Sequence, residues 1–323
     1  MNLLRKTLIA LAAAPLIASS AIAGSYPDRP VNLVVPFAAG GPTDTIARIV
    51  ASSFEAQSGQ PFVVENRGGA GSTIGTAHVA TSNPDGYKLL WGSSSAMVIA
   101  PHLYTTLQYD PLTSFERIGM VAATPYVLLV NADSPYKTYD ELVQAAKKDK
   151  DGLTYSSPGA GTSLHLTIEL MASESGFSAL HIPYRGGAPA MTALLAKDVD
   201  FLVDVPSAAL PQVAAGKARA LAVTSPERLP QLPDVPTLRE EGLAGFQSQA
   251  WFALFAPKGT PQEALDKLRG MLGTALKDPK VLDVLTKASF TAVDPDTAKL
   301  NDTIEHEYKL WSEVIAEKKI QLQ

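Results

Sequence analysis

Cysteine is absent from all 323 residues. Its absence excludes a disulfide framework, thiolate catalysis, sulfur-ligated metal and a lipid anchor on a cysteine after a leader. An excess of positive charge is absent too: 27 basic residues face 32 acidic ones, for a net charge of −5. A nucleic-acid partner is therefore not expected, and an anionic ligand must be held locally, against the overall charge. Beyond residue 23 no apolar run is long enough to cross a bilayer.

The signatures of common chemistries are missing as well. No G-x-x-x-x-G-K-[ST] occurs, and Gly92-Ser93-Ser94-Ser95-Ala96 lacks the closing glycine of a nucleophile elbow. Gly69-Ala70-Gly71 with Gly75 puts the last glycine one place too far for a dinucleotide fingerprint. His306-Glu307 has no second histidine behind it, and His78, His102, His165 and His181 are scattered. A hydrolase built on Ser163, His165 and Asp204 is a poor fit, because residues two apart at a helix start point in different directions. The expectation is a protein without catalytic residues, metal or cofactor.

What is present starts with a leader. Arg5 and Lys6 form a basic region, residues 8–17 a short apolar one, and Ala21-Ile22-Ala23 a cleavage signal. The mature chain is expected to be exported and to start near Gly24 or Ser25.

Residues 31–48 set the pattern for the rest. Val31, Leu33, Val34 and Val35 read as a short buried strand, which Pro36 ends. Gly40 and Gly41 make a loop, and Thr43 or Asp44 caps a helix whose Ile46, Ile49, Val50 and Phe54 fall at helical spacing. Strand, glycine loop and helix start gather unpaired N–H groups and a positive dipole end at one spot, suited to a carboxylate or phosphate. The plainer reading is a strand-to-helix turn. Residues 157–163 repeat the arrangement with Gly161, Thr162 and Ser163, and His165 follows on the first turn of that helix. Ligands in open α/β sheets sit at the carboxyl ends of strands, where such loops lie.

Three further places offer polar groups, and a fourth an apolar face. Ser93, Ser94 and Ser95 bring hydroxyls to a strand end, as pocket donors or as an ordinary turn. Asp204 ends an apolar strand, where a carboxylate is costly unless partnered; it is a pocket acid or a helix cap. Tyr184 and Arg185 lead into a glycine loop, with Arg185 either paired to a distal ligand carboxylate or solvated on a rim. Phe37 is an apolar wall or plain core.

Repeated β-loop-α units predict α/β lobes with parallel sheets covered on both faces. The strand at 126–130 is echoed at 251–255, which predicts a chain that crosses to a second lobe and returns. The lobes are then 24–125 with 247–323 and, between them, 126–246, joined by two hinge strands. A charged amphipathic helix at 303–319 is expected outside the first lobe.

Longer motifs run through essentially the whole mature chain: Tyr26-Pro27-Asp28-Arg29-Pro30, Pro36-Phe37-Ala38-Ala39-Gly40-Gly41-Pro42-Thr43-Asp44, Val64-Glu65-Asn66-Arg67-Gly68-Gly69-Ala70-Gly71, Pro183-Tyr184-Arg185-Gly186-Gly187-Ala188-Pro189 and Ala256-Pro257-Lys258-Gly259-Thr260-Pro261. In these the chain resembles the Bug receptors, the periplasmic solute-binding proteins of tripartite tricarboxylate transporters. The resemblance implies a type II periplasmic-binding-protein fold, two lobes with a ligand cleft between them, closing on a small organic anion. It implies a carboxylate held by the 37–44 loop, partly through ordered water, and by the 161–163 loop, with Ser93, Ser94, Ser95 and Asp204 lining the distal pocket. The first loop often carries proline where this chain has Ala39, a change that leaves the backbone donors in place. Membrane permease subunits are the implied partners, for a monomer in the periplasm. Whether the ligand is a di- or tricarboxylate, an acidic amino acid or an aromatic acid stays open. The alternatives are an exported serine hydrolase using Ser163 or Ser94, and a ligand sensor serving a signalling partner.

Overall fold

The computed structural model describes residues 26–149, 152–246 and 248–320. The expected leader at 1–23 and cleavage site lie outside the described residues. Strand β1 (Val31–Val35) is buried along almost its whole length and stops at Pro36. Helix α1 (Pro42–Ser58) then packs Ile46, Val50 and Phe54 onto the sheet and ends at Gly59, whose φ of 72° closes the last turn. After it come β2 (Phe62–Asn66), α2 (Thr73–Ala80) and β3 (Lys88–Ser93). A π turn at Ser95–Ile99, the short α3 (Ala100–Leu103) and the long β4 (Phe115–Pro125) complete this half.

The chain then crosses into a second sheet. This comprises β5 (Val127–Asn131), α4 (Tyr139–Lys148), β6 (Leu153–Ser157), α5 (Ser163–Ser175), β7 (Ala179–Pro183), α6 (Gly187–Ala196), β8 (Phe201–Asp204), α7 (Pro206–Ala214) and β9 (Ala218–Val223). It returns through β10 (Gln249–Pro257), α8 (Gln262–Ala275), α9 (Pro279–Lys287), β11 (Thr291–Ala292) and α10 (Thr297–Glu317).

The strand orders are β11-β4-β10-β3-β1-β2 and β7-β6-β8-β5-β9. Neither sheet is the all-parallel one expected. β1, β2 and β3 run parallel, as do β6, β7 and β8, but β10 is antiparallel to β3 and β4, and β5 to β8 and β9. The cause is connectivity. β5 and β10 are the first strands after each crossing, and each enters its sheet from the hinge side rather than after a helix.

The echoed strands thus belong to different sheets. At the crossing, the Tyr126 N–H donates to Thr224 Oγ1 (2.8 Å) and the Thr224 N–H to the Tyr126 carbonyl (3.0 Å), so outgoing and returning chains are stitched together. Gln249 of β10 pairs with Pro125 of β4, so the returning strand starts where the outgoing one ends. One buried apolar cluster runs from Val34 and Leu90 through Tyr126 and Trp251 to Tyr155 and Phe201.

Helix α10 packs against the first lobe, as expected, but is not confined to it. It packs on β4 and α3, and its far end reaches the second sheet, where Ser173 of α5 donates to the Glu317 carboxylate at 3.0 Å. Twenty-one residues span about 31 Å at 1.5 Å each, long enough to bridge both halves. Leu300, Ile304, Trp311, Val314 and Ile315 bury its inner stripe.

Candidate functional site

A cleft of about 750 Å³ opens between the two sheets. On one side it is lined by Phe37 and Ala38 after β1, residues 68–72 after β2, Ser95 after β3, and Ile99, Ala100, Leu103 and Tyr104. On the other side lie residues 158–163 after β6. All four loops leave the carboxyl ends of strands that run parallel to a neighbour in their own sheet, where unpaired backbone groups and helix starts gather. Among the described residues no charged side chain lines the cleft.

The 158–163 loop is held from beneath. Gly159 and Gly161 have φ values of 145° and 75°, which side chains disfavour. The Gly161 N–H donates to His165 Nδ1 at 3.0 Å, and Thr162 Oγ1 accepts the His165 N–H at 3.3 Å while donating to the Gly159 carbonyl at 2.8 Å. The His165 ring stacks on His181 with centroids 3.9 Å apart, and His181 stacks on Tyr155. Ser157 Oγ meets His181 Nε2 at 2.6 Å. Burial pushes His165 down to about 3, with His181 assisting, and burial pushes His181 to about 4. Both rings are therefore neutral at pH 7. Because His165 Nδ1 accepts a hydrogen bond, its proton sits on Nε2, towards Glu169. Among the described residues the N–H groups of Ser163 and Leu164, at the start of α5, have no protein acceptor.

The first loop is organised differently from the sequence expectation. Neither Thr43 nor Asp44 caps α1. Gly41 occupies the cap position without a side-chain bond, with Pro42 in the first turn. Asp44 instead folds back, buried, to accept the Gly40 N–H, Arg48 Nε and Asn66 Nδ2, each at 2.9 Å. Asn66 Nδ2 also reaches the Phe37 carbonyl at 3.2 Å. Burial alone would raise the Asp44 pKa, but these donors, Arg48 foremost, hold it at about 2. Asp44 is thus a clamp that shapes the loop. Asp44→Ala should cost roughly 1.5–3 kcal/mol by removing hydrogen bonds to a charged group. A melting temperature equal to the parent's at pH 7 would show that the clamp carries no stability.

Of the residues singled out from sequence, Phe37, Ser95, Gly161, Thr162 and Ser163 meet at the cleft. Phe37 is both wall and packing, edge-on to Phe252 at 5.9 Å. Ala39, Gly40, Gly41, Thr43, Asp44 and His165 are not part of the lining; Ala39 and Gly40 are exposed, and Asp44 and His165 are buried. Ser93 and Ser94 are buried below it, with Ser93 Oγ accepting the Ala96 N–H. Tyr184 and Arg185 lie off the lining, and Arg185 is exposed. Asp204 is buried one strand away from the second loop.

Sequence reasoning weighed Gly69–Gly71 only as a dinucleotide fingerprint and did not place residues 68–72 in the site. There the same strand–glycine–helix signal occurs after β2, and Ala70 and Ser72 take φ values of 44° and 74°. Tyr104 and Leu103 carried no comparable signal, since they follow a π turn and a four-residue helix. Ser163, His165 and Asp204 form no relay, because His165 Nδ1 is engaged by Gly161. Among the described residues no group of three acidic or histidine side chains is placed to hold a metal.

Comparison with known proteins agrees with this geometry. Residues 46–320 match the family model described as the tripartite tricarboxylate transporter family receptor. The solved periplasmic binding protein BugD is 40% identical, with 92% of this chain and 100% of that one covered and a TM-score of 0.75. MatC from Rhodopseudomonas palustris, solved with bound malate, is 34% identical over 90% of this chain and 100% of its own, with a TM-score of 0.74. An R. palustris protein solved with adipate is 31% identical over 92% and 100%, with a TM-score of 0.78. The two lobes have the type II periplasmic-binding-protein fold, and the chain, a solute-binding receptor and not an enzyme, belongs to the tripartite tricarboxylate transporter receptor family.

Proposed function

We propose that this receptor captures a small organic carboxylate in the periplasm and delivers it to a membrane permease of the tripartite type. It is exported by its leader and works as a monomer. Residues 24–125 with 247–323 close on residues 126–246, and no covalent bond is made or broken. The observation that supports this best is the pair of free N–H groups at Ser163 and Leu164, set across the cleft from the backbone of Ala38 and residues 68–72. Each charge-assisted hydrogen bond to a carboxylate contributes about 1.5–3 kcal/mol. Both lobes reach one ligand only when closed, so binding shifts the open–closed equilibrium. MatC and the R. palustris adipate protein were solved with carboxylates, which supports the same ligand class here.

The test is thermal shift with protein freed of carried-over ligand by unfolding and refolding. A carboxylate at a hundred times its Kd should stabilise the folded state by about 2.7 kcal/mol. A panel of aliphatic di- and tricarboxylates, acidic amino acids and aromatic acids that leaves the melting curve unmoved would refute the assignment.

A further inference from the structure

We propose that Asp204 selects the ligand: the receptor takes carboxylates that also carry an amino group, and Asp204 Oδ2 accepts from the ammonium. The proposal rests on the reading of the cleft as a carboxylate site and adds the chemistry of the ligand's other end.

Three observations bring Asp204 close beneath the lining of that cleft. First, β8 runs parallel to β6 with Tyr155 beside Phe201 and Ser156 beside Leu202, so the register brings Asp204 level with Pro158, which lines the cleft. Second, the buried Tyr126 phenol lies beside Ser163, also a lining residue, and within electrostatic reach of Asp204. Third, the neighbour over Oδ2 is Gly187, where even a methyl group would stand 3.9 Å away, so no side chain at that position covers the carboxylate.

The carboxyl is also short of partners. It is 5% exposed, and Oδ1 accepts the adjacent Val205 N–H at 2.8 Å. Among the described residues Oδ2 has no donor and no cation pairs with it; the exposed Arg185, two positions before Gly187, does not reach it. A helix-capping role does not account for it, because α7 starts after Val205 without any side-chain cap bond. Burial raises its pKa to about 6, against the Val205 N–H, so at neutral pH the empty site holds a mostly ionised acid with half of its acceptors idle.

The cleft therefore has two unlike ends. Neutral amide donors at the start of α5 suit a carboxylate, and a buried acid stands close beneath the lining. A plain dicarboxylate would carry its second negative charge towards Asp204, whereas an amino-substituted one brings the opposite charge.

The experiment is calorimetric titration of ligand-free protein with matched pairs: succinate against aspartate, and glutarate against glutamate. The amino acid of at least one pair should bind about tenfold or more tightly than its diacid, and Asp204→Asn should bring that ratio to near one. Equal affinities, a preference for the plain diacid, binding confined to acids without an amine, or a preference that survives Asp204→Asn each overturn the proposal. Should the variant not fold, the parent's ratio alone decides. Diacid binding without amino preference leaves the carboxylate assignment standing, whereas no binding by any acid in ligand-free protein overturns both.

Discussion

Replacing Gly161 with valine should lower ligand affinity about a hundredfold while the protein still folds. Gly161 holds φ at 75°, a region that a β-branched residue enters only at a cost of about 1–3 kcal/mol. The loop relieves this strain by turning, and the turn breaks the bond from the Gly161 N–H to His165 Nδ1. The Ser163 and Leu164 amides then lose their aim. Two charge-assisted bonds at the lower end of their range amount to about 3 kcal/mol, and each 1.4 kcal/mol is a factor of ten. Helix α5 supplies its own control. Gly176 ends it with φ at 68° and nothing within 4 Å of where a side chain would start, and it lies about 20 Å from Gly161 along the helix. Gly176→Val suffers the same backbone strain without touching the cleft, so it should lose stability and keep affinity. Equal affinity losses in the two variants would mean that general destabilisation, and not the loop, explains the effect.

The contrast between these two glycines also marks what could be read from the chain alone. Local patterns were legible: the β1 run from Val31 to Val35, its stop at Pro36, and the glycine loop and helix start at residues 157–163 all rest on near neighbours in the chain. Long-range partners were not. Asp44 looked like a cap because aspartate at a helix start usually is one, but Asn66 and Arg48 lie where they draw it back over Gly40. The antiparallel insertion of β5 and β10 follows from where the chain crosses, and local periodicity carries no record of that. The contribution of residues 68–72 to the cleft was hidden in the same way, since a glycine turn looks alike whether it faces solvent or another lobe. The reach of α10 was hidden because both lobes present apolar surface to one continuous stripe.

That same helix carries the other large expected effect, a dependence of stability on pH at Glu307. The residue is 5% exposed; Oε2 accepts Trp251 Nε1–H at 2.8 Å, and the buried Oε1 has no partner among the described residues. Burial pushes its pKa up to about 7, with the Trp251 bond acting the other way. A carboxyl whose folded pKa lies above its unfolded value of 4.5 favours the folded state when protonated, so its contribution falls as pH rises from about 4.5 to about 7. The full loss is about 3 kcal/mol at 1.36 kcal/mol per unit. Glu307→Gln keeps an acceptor for Trp251 and removes the charge, so its melting temperature should gain on the parent's between pH 5 and pH 8. His165 and His181 act in the opposite sense: burial depresses both, so their contribution is present above about pH 6.5 and lost on acidification towards 4 and 3. They are shared by both proteins and cancel in the difference, as does Asp204. The Tyr126 phenol beside Glu307 has a raised pKa and stays neutral throughout. Since Tyr126 is the residue at which the chain crosses between sheets, charging Glu307 places the cost at the hinge itself, where α10 ties the two lobes together. Parallel melting curves for parent and variant across this range would rule out Glu307 as the source of any such dependence.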